Sequence, residues 1–164
     1  MTAGDAGIIA KNLNVLNEIY SRSKFMKSIF DKLEAGSDFI TEQEYTILSI
    51  EDNRKHRYIQ QKMRNIRIIN LGEYSIAYVF AENHISELGN YICKNIDGIR
   101  FVAIINTDTE VVSLRAVKES DIDLSEVAKN LSNNRGGGHP LSAGFVYDSS
   151  FNDNLIKDIF KISQ

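Results

Sequence analysis

Residues 111–145 read VVSLRAVKESDIDLSEVAKNLSNNRGGGHPLSAGF, and the order of signals in this stretch decides the fold. The run EVVSLRAV, entered from Glu110, is rich in β-branched residues and reads as a strand. Asp123 with Glu126 is a capping-box match that opens a short helix reaching about residue 131. NNRGGGHP, from Asn133 to Pro140, is the densest loop signal in the chain, and AGFVYD after it reads as another strand. A strand, a helix and a second strand in close succession are the alternation of a mixed α/β unit.

Working upstream, IRIINL and YSIAYVFA are short runs of Ile, Val and Tyr parted by Gly72-Glu73, which predicts a β-hairpin. Asn83 begins a helix expected to run to about residue 96, with Asp97-Gly98 as its stop. The strand FVAIIN follows, and the polar turn Thr107-Asp108-Thr109 leads back into EVVSLRAV. Downstream, a last helix is expected over 152–162. The first third is helical by pattern: Ile9, Leu13, Leu16, Ile19, Tyr20, Phe25, Met26, Ile29 and Leu33 recur at three- and four-residue steps. Polar residues over 20–23 leave room for a kink or break inside that segment. Ala35-Gly36-Ser37-Asp38 ends it, and Thr41 with Glu44 is a capping box opening a second helix over 42–64. The expected fold is α/β: a mixed sheet of about five strands with flanking helices, preceded by a long helical segment. The expected domains are a helical connector or appendage over 1–65 and an α/β domain over 66–164.

The 164 residues suit one domain, or one domain with a helical appendage. An apolar share of 43% and a charged share of 25% are those of a globular protein. No stretch is long and bare enough to span a membrane and no basic-then-apolar segment opens the chain, so a cytoplasmic location without a membrane partner is expected. Cys93, set in NYICKNI, has no second cysteine to pair with and reads as a small buried hydrophobe. A net charge of −3 excludes coating nucleic acid through bulk positive charge, so any phosphate site must be local. The basic run RKHRYIQQKMRNIR over 54–67 has helical spacing and reads as a solvated face rather than a phosphate track. His56 and His84 lack metal-ligand spacing to another His, Cys or carboxylate and read as exposed polar residues. Tyr58, Tyr74 and Tyr78 fall at helix and strand spacing, where tyrosines are half-buried more often than they stack on bases.

Three consecutive glycines need a reason, since each loses more freedom on ordering than any other residue. Such a run is kept for positive backbone angles or for the close approach of another group, most commonly a phosphate. Amides of a glycine turn can converge on an anion, and the imidazole of His139 can donate to the same oxygen. The alternative is a tight helix-to-strand connection with an incidental His139, and the loop alone leaves both open. The phosphate-binding and dinucleotide fingerprints do not fit: no Gly-Lys-Ser/Thr occurs, and no strand runs straight into the loop.

In order and at close spacing, the chain has a strand carrying Ser113-Leu114-Arg115, an acidic helix start, a short helix bearing Val127-Ala128, the GGGH of residues 136–139, and Ala143-Gly144-Phe145. The stretch resembles the C-terminal substrate-binding domain of DHH-family phosphoesterases of the oligoribonuclease and cyclic-dinucleotide phosphodiesterase type. The resemblance is specific over 111–145, extends back to residue 66 by element order, and says little of the first 65 residues beyond their suiting a helical connection between lobes. It implies a domain that grips a short RNA or DNA, or a cyclic dinucleotide, while a separate DHH catalytic lobe with a manganese or magnesium pair cleaves the phosphodiester. Carried over, Arg115 clamps a phosphate with its planar fork and Ser113 adds a hydroxyl donor. Gly136, Gly137 and Gly138 supply amides and room, and His139 meets the phosphate or the metal lobe. Ser142 stands where that family commonly has Ala, which adds a hydroxyl. Arg135 is a further phosphate candidate from its charge and position alone. Against the clamp stands a plain surface role, with Arg115 paired to Asp121 or Asp123.

The family's hydrolysis rests on an Asp-rich, His-containing metal site that includes an Asp-His-His triplet, and no such triplet occurs here. No catalytic residue, metal or cofactor is therefore expected in this chain, and hydrolysis by the chain alone is not expected. Its start within what reads as a connecting helix suits a domain excised from a longer enzyme, whose catalytic lobe lies in the same or another chain. The other readings are a stand-alone nucleotide-binding or protein-interaction module, and a scaffold whose long helices form a homodimer.

Overall fold

The structure, a computed structural model, describes residues 3–71, 74–118, 120–147 and 156. Among them are five helices, α1 (Ala3–Ile19), α2 (Arg22–Ala35), α3 (Glu42–Met63), α4 (Ile85–Asn95) and α5 (Leu124–Leu131). Six strands accompany them: β1 (Arg67–Leu71), β2 (Tyr74–Phe80), β3 (Phe101–Asn106), β4 (Val111–Ala116), β5 (Gly137–His139) and β6 (Ser142–Val146). The chain forms two compact units, Met1–His56 and Arg57–Gln164.

In the first unit the apolar stripe of the first third is cut at Tyr20–Ser21, so the expected single helix is the pair α1 and α2. Leu16, Ile40 and Leu48 are buried together, with Leu13, Phe25 and Phe39 against them. Helix α2 stops where Gly36 turns left-handed at φ 59° and its amide returns to the Leu33 carbonyl. The capping box forms as expected: the Thr41 amide donates to Glu44 Oε2 at 2.8 Å, and the Glu44 amide donates to Thr41 Oγ1 at 3.2 Å. Lys32 Nζ donates to Glu44 Oε1 at 2.8 Å. Burial alone would raise the Glu44 carboxyl, but the hydrogen bonds from Lys32 and Thr41 outweigh it and hold the group below its ordinary value. The basic run is partly paired with carboxylates: Arg54 with Glu51 and Lys55 with Asp52 in this unit, and Lys62 with Glu82 in the other. His56 is exposed on α3.

The second unit is built on a six-stranded mixed sheet in the order β1-β2-β3-β4-β6-β5. Only β2 and β3 run parallel, and α4 makes the crossover between them that a parallel pair requires. The hairpin β1–β2 is antiparallel as expected, while Gly72-Glu73 lies outside the described residues. At the β3–β4 turn, Asn106 Oδ1 accepts from the amides of Asp108 and Thr109 at 3.0 and 3.1 Å, which closes the polar turn from within.

One face of the sheet carries Ile76, Ala103, Val112, Leu114, Ala143 and Phe145 against Leu124 and Ala128 of α5. The other carries Ala77, Val79, Val102 and Ile104 against Leu88 and Ile92 of α4. Tyr78 is half-buried beside the first of these cores. The last helix expected over 152–162 lies outside the described residues apart from Ile156, which packs against the same core.

Helix α4 starts at Ile85 rather than Asn83 because the Tyr58 hydroxyl accepts from the amides of Glu82 and Asn83 at 2.9 and 3.1 Å, holding both outside the helix. Exposed His84 caps α4 in a left-handed conformation, φ 51°, edge-on to the Tyr58 ring. The glycine loop also differs from expectation. Gly137–His139 forms a sixth strand, joined to β6 by the tight turn Pro140–Leu141. At Gly138, φ 149°, an added Cβ would lie 2.5 Å from the Ser142 carbonyl oxygen, so only glycine lets the two strands of this hairpin approach so closely. Among the described residues no helix is long and apolar enough to cross a membrane.

Candidate functional site

Strand register assembles the candidate residues. Val102 of β3 pairs with Arg115 of β4, Arg115 with Ser142 of β6, and Ser142 with His139 of β5. Directly opposed residues point to the same side of a sheet, so the four form one row across four strands. The row is buried at Val102 beneath α4, half-buried at Arg115 and Ser142, and exposed at His139. A neighbouring row on the same face runs from Ile104 through Ser113 and Gly144 to Gly137. Beyond the edge of α4 the face is therefore polar: an arginine, two serines and a histidine beside two glycines.

The three glycines do different work. An added Cβ on Gly136 would sit 2.6 Å from Phe145 Cβ and 2.9 Å from the Ala128 carbonyl oxygen, against the α5 core. Gly138 is required by the hairpin itself. Gly137 has nothing within 4 Å of an added Cβ and an ordinary backbone angle, so the fold does not require glycine there. Its open side is the face that carries Ser113 and Arg115.

Among the described residues, Arg115 is not paired as a surface charge. Asp121 pairs with Arg100, and the Asp123 carboxylate caps α5 by accepting from the amides of Ser125 and Glu126. The Arg115 guanidinium instead donates from Nη1 to the Leu114 carbonyl at 2.8 Å and from Nη2 to Ser86 Oγ at 3.0 Å, two neutral acceptors. Its head is held in place, and among the described residues no carboxylate pairs with it. Exposed Arg135 turns back on the end of α5, where its Nε donates to the Ser132 carbonyl at 3.3 Å, apart from the row.

Sequence reasoning missed Ser86 and Gly89. The available signal was a glycine in the interior of an otherwise regular helical pattern, ISELGNYICKN. Cys93, on the same side of α4, is half-buried and its thiol donates to the Arg115 carbonyl at 3.4 Å. Burial pushes that thiol up, with the Arg115 charge opposing, which disfavours the thiolate form. At the start of α4 the Tyr58 hydroxyl and Lys62 both donate to the Glu82 carboxylate, at 3.1 and 2.8 Å. The hydrogen bond from Lys62 holds that carboxyl below its usual range.

Among the described residues no three His, Cys, Asp or Glu side chains gather where they could hold a metal. The metal pair implied by the resemblance has no ligand set in them.

A mixed sheet that ends in a glycine hairpin, with an arginine and a histidine in register on one face, defines an α/β domain with a polar sheet edge. Residues 72–163 match the DHHA1 domain, and the chain belongs to that family, the DHH-associated domain of DHH phosphoesterases. Over 154 residues, 93% of this chain, it is 29% identical to Oligoribonuclease NrnB of Bacillus subtilis, and it spans 38% of that protein's length. The fold resembles that of an exopolyphosphatase-related protein from Bacteroides fragilis, at 17% identity and TM-score 0.50 over 81% of this chain and 46% of that one. It also resembles the pGpG-specific phosphodiesterase PggH from Vibrio cholerae, at 9% identity and TM-score 0.50 over 74% of this chain and 42% of that one.

Proposed function

We propose that this chain is the substrate-gripping domain of a DHH-type phosphodiesterase acting on short oligoribonucleotides. One observation carries the proposal: the register that sets Arg115, Ser142 and His139 side by side on a face floored by Gly137 and Gly144. A phosphate on this floor receives the planar fork of Arg115 and a donor from His139, with the hydroxyls of Ser113 and Ser142 beside it. The backbone near Gly137 can come close because no side chain stands there. Arg135, outside the row, serves as an outlying contact for a longer strand. Cleavage belongs to a DHH catalytic lobe holding manganese or magnesium, in the same or another chain, and this domain presents the nucleotide end to it. RNA is favoured by the oligoribonuclease at 29% identity; a cyclic dinucleotide is the competing ligand.

The test is calorimetric binding of a two-nucleotide RNA to the chain, with and without Mn²⁺, beside Arg115→Ala and His139→Ala. Expected is metal-independent binding weakened about tenfold or more by each substitution, the share of a charge-assisted hydrogen bond. Absence of binding at millimolar RNA would sink the proposal, and tighter binding of a cyclic dinucleotide would change the ligand.

A further inference from the structure

We infer that Ser86 and Gly89 of α4 are positioning residues that set the guanidinium of Arg115 for an incoming phosphate, an inference that rests on the proposed function. Glycine is among the poorest residues for a helix interior, and Gly89 is buried in the middle of α4. What occupies the space of its missing side chain is Arg115: an added Cβ would lie 2.7 Å from Arg115 Cγ and 3.3 Å from Arg115 Cβ. Both are atoms at the root of the side chain, so the arginine cannot swing its tip aside to relieve the contact. The stem of Arg115 thus lies against Gly89, beside Ile104, whose Cδ1 is 3.1 Å from the same point.

The head is fixed one helical turn away. Ser86 Oγ accepts from Nη2 at 3.0 Å, and the Leu114 carbonyl accepts from Nη1 at 2.8 Å. An arginine has five N–H donors, so donors remain for a ligand after these two are used. Because Ser86 is exposed, that end of the slot opens to the surface. A long side chain ordered before binding spares the ordering cost that a free arginine would meet in the complex. The neutral partners leave its charge for the phosphate. Ser86 and Gly89 lie 29 and 26 positions before Arg115 in the chain, and they meet it because α4 crosses over the face on which β4 presents it.

Two measurements test the inference. The first is the thermal unfolding midpoint of Gly89→Ala in the native chain and in an Arg115→Ala background, and it needs no ligand. A lowered midpoint beside Arg115, and a clearly smaller lowering in the Arg115→Ala background, is expected, because the 2.7 Å contact with Arg115 Cγ is then gone while the milder contacts with Ile104 Cδ1 and the Cβ at position 115 remain. An equal lowering in both backgrounds overturns the assignment of Gly89. The second is the binding of the two-nucleotide RNA to Ser86→Ala and Ser86→Thr. Expected is about fivefold weaker binding for alanine, the share of one hydrogen bond, recovery with threonine, and no effect of Ser86→Ala in the Arg115→Ala background. An unchanged affinity, or the same loss in both backgrounds, overturns the role of Ser86. If the native chain binds no RNA, the proposed function and the phosphate role fall together, while the unfolding cycle still decides whether Gly89 is there for Arg115.

Discussion

The two faces of the β4-β6-β5 end of the sheet are made by the same strands in the same register, and alternate residues give them opposite characters. On one face Val112, Leu114, Ala143 and Phe145 are buried with Leu124 and Ala128 of α5. On the other Ser113, Arg115, Ser142 and His139 alternate with them and grow more exposed toward the edge. A period of two lets one strand give alternate positions to the core and the others to a polar surface, and a slip of one residue would exchange them. The glycine run obeys the same division: Gly136 is pressed against Phe145, whereas Gly137 looks onto open space. Substitutions that differ only in which face they touch should therefore separate stability from binding.

The largest effect is expected at Gly136→Ala. Its new methyl would lie 2.6 Å from Phe145 Cβ and 2.9 Å from the carbonyl oxygens of Ala128 and Gly144, atoms of the core and backbone that cannot step aside. Overpacking of this kind costs about 1–3 kcal/mol or more. Denaturant unfolding should show that loss. A stability within about 0.5 kcal/mol of the native chain, the range of an ordinary surface change, would mean that the α5 face is looser than its packing implies.

How much of this contrast was legible in the sequence depended on the range of the forces involved. Five strands and the start of α5 were readable because β-branched runs and an Asp-x-x-Glu cap are local signals. The strand β5 was not, since Gly-Gly-His carries the signature of a loop and becomes a strand only by pairing with β6. The break between α1 and α2 and the late start of α4 were only partly visible. The first is set by a weak polar patch, the second by Tyr58, more than twenty positions away in the chain. In the site, Arg115 and the GGGH run stood out by charge and composition. That His139 shares a row with Arg115 follows from register, which the sequence constrains only through the alternation of β4 and β6. The contact of Ser86 with Arg115 is tertiary and left no trace beyond a glycine in an otherwise helical pattern.

A middle-sized effect sharpens the comparison from the α5 side. The Asp123 carboxylate accepts from the Ser125 amide at 2.8 Å and caps the helix that covers only the dry face. Asp123→Ala should remove about 1 kcal/mol of stability. Affinity for the two-nucleotide RNA should stay within twofold of native, as read by calorimetry below the unfolding transition. A large loss of affinity would mean that the two faces are coupled through α5, and that their separation by register is incomplete.

The smallest change in stability belongs to the glycine that the fold does not need. Gly137 has no heavy atom within 4 Å of an added Cβ and does not adopt a left-handed backbone, so alanine fits without strain. Gly→Ala at such a position reduces the freedom of the unfolded chain, and Gly137→Ala should leave stability unchanged or raise it by about 0.4–1 kcal/mol. The methyl would nevertheless stand on the open face, level with Gly144 and Ser113 and one row from Arg115 and His139. If a phosphate backbone lies on that floor, binding of the two-nucleotide RNA should fall at least about tenfold, since a methyl in the path of a close contact has no side chain to push aside. A variant that is as stable as native and binds as well as native would leave the middle glycine without a function and move the ligand off this face. A variant that is stable and blind to RNA would separate the two faces by a single methyl group, with Gly136→Ala, at the preceding residue, as its counterpart on the other face.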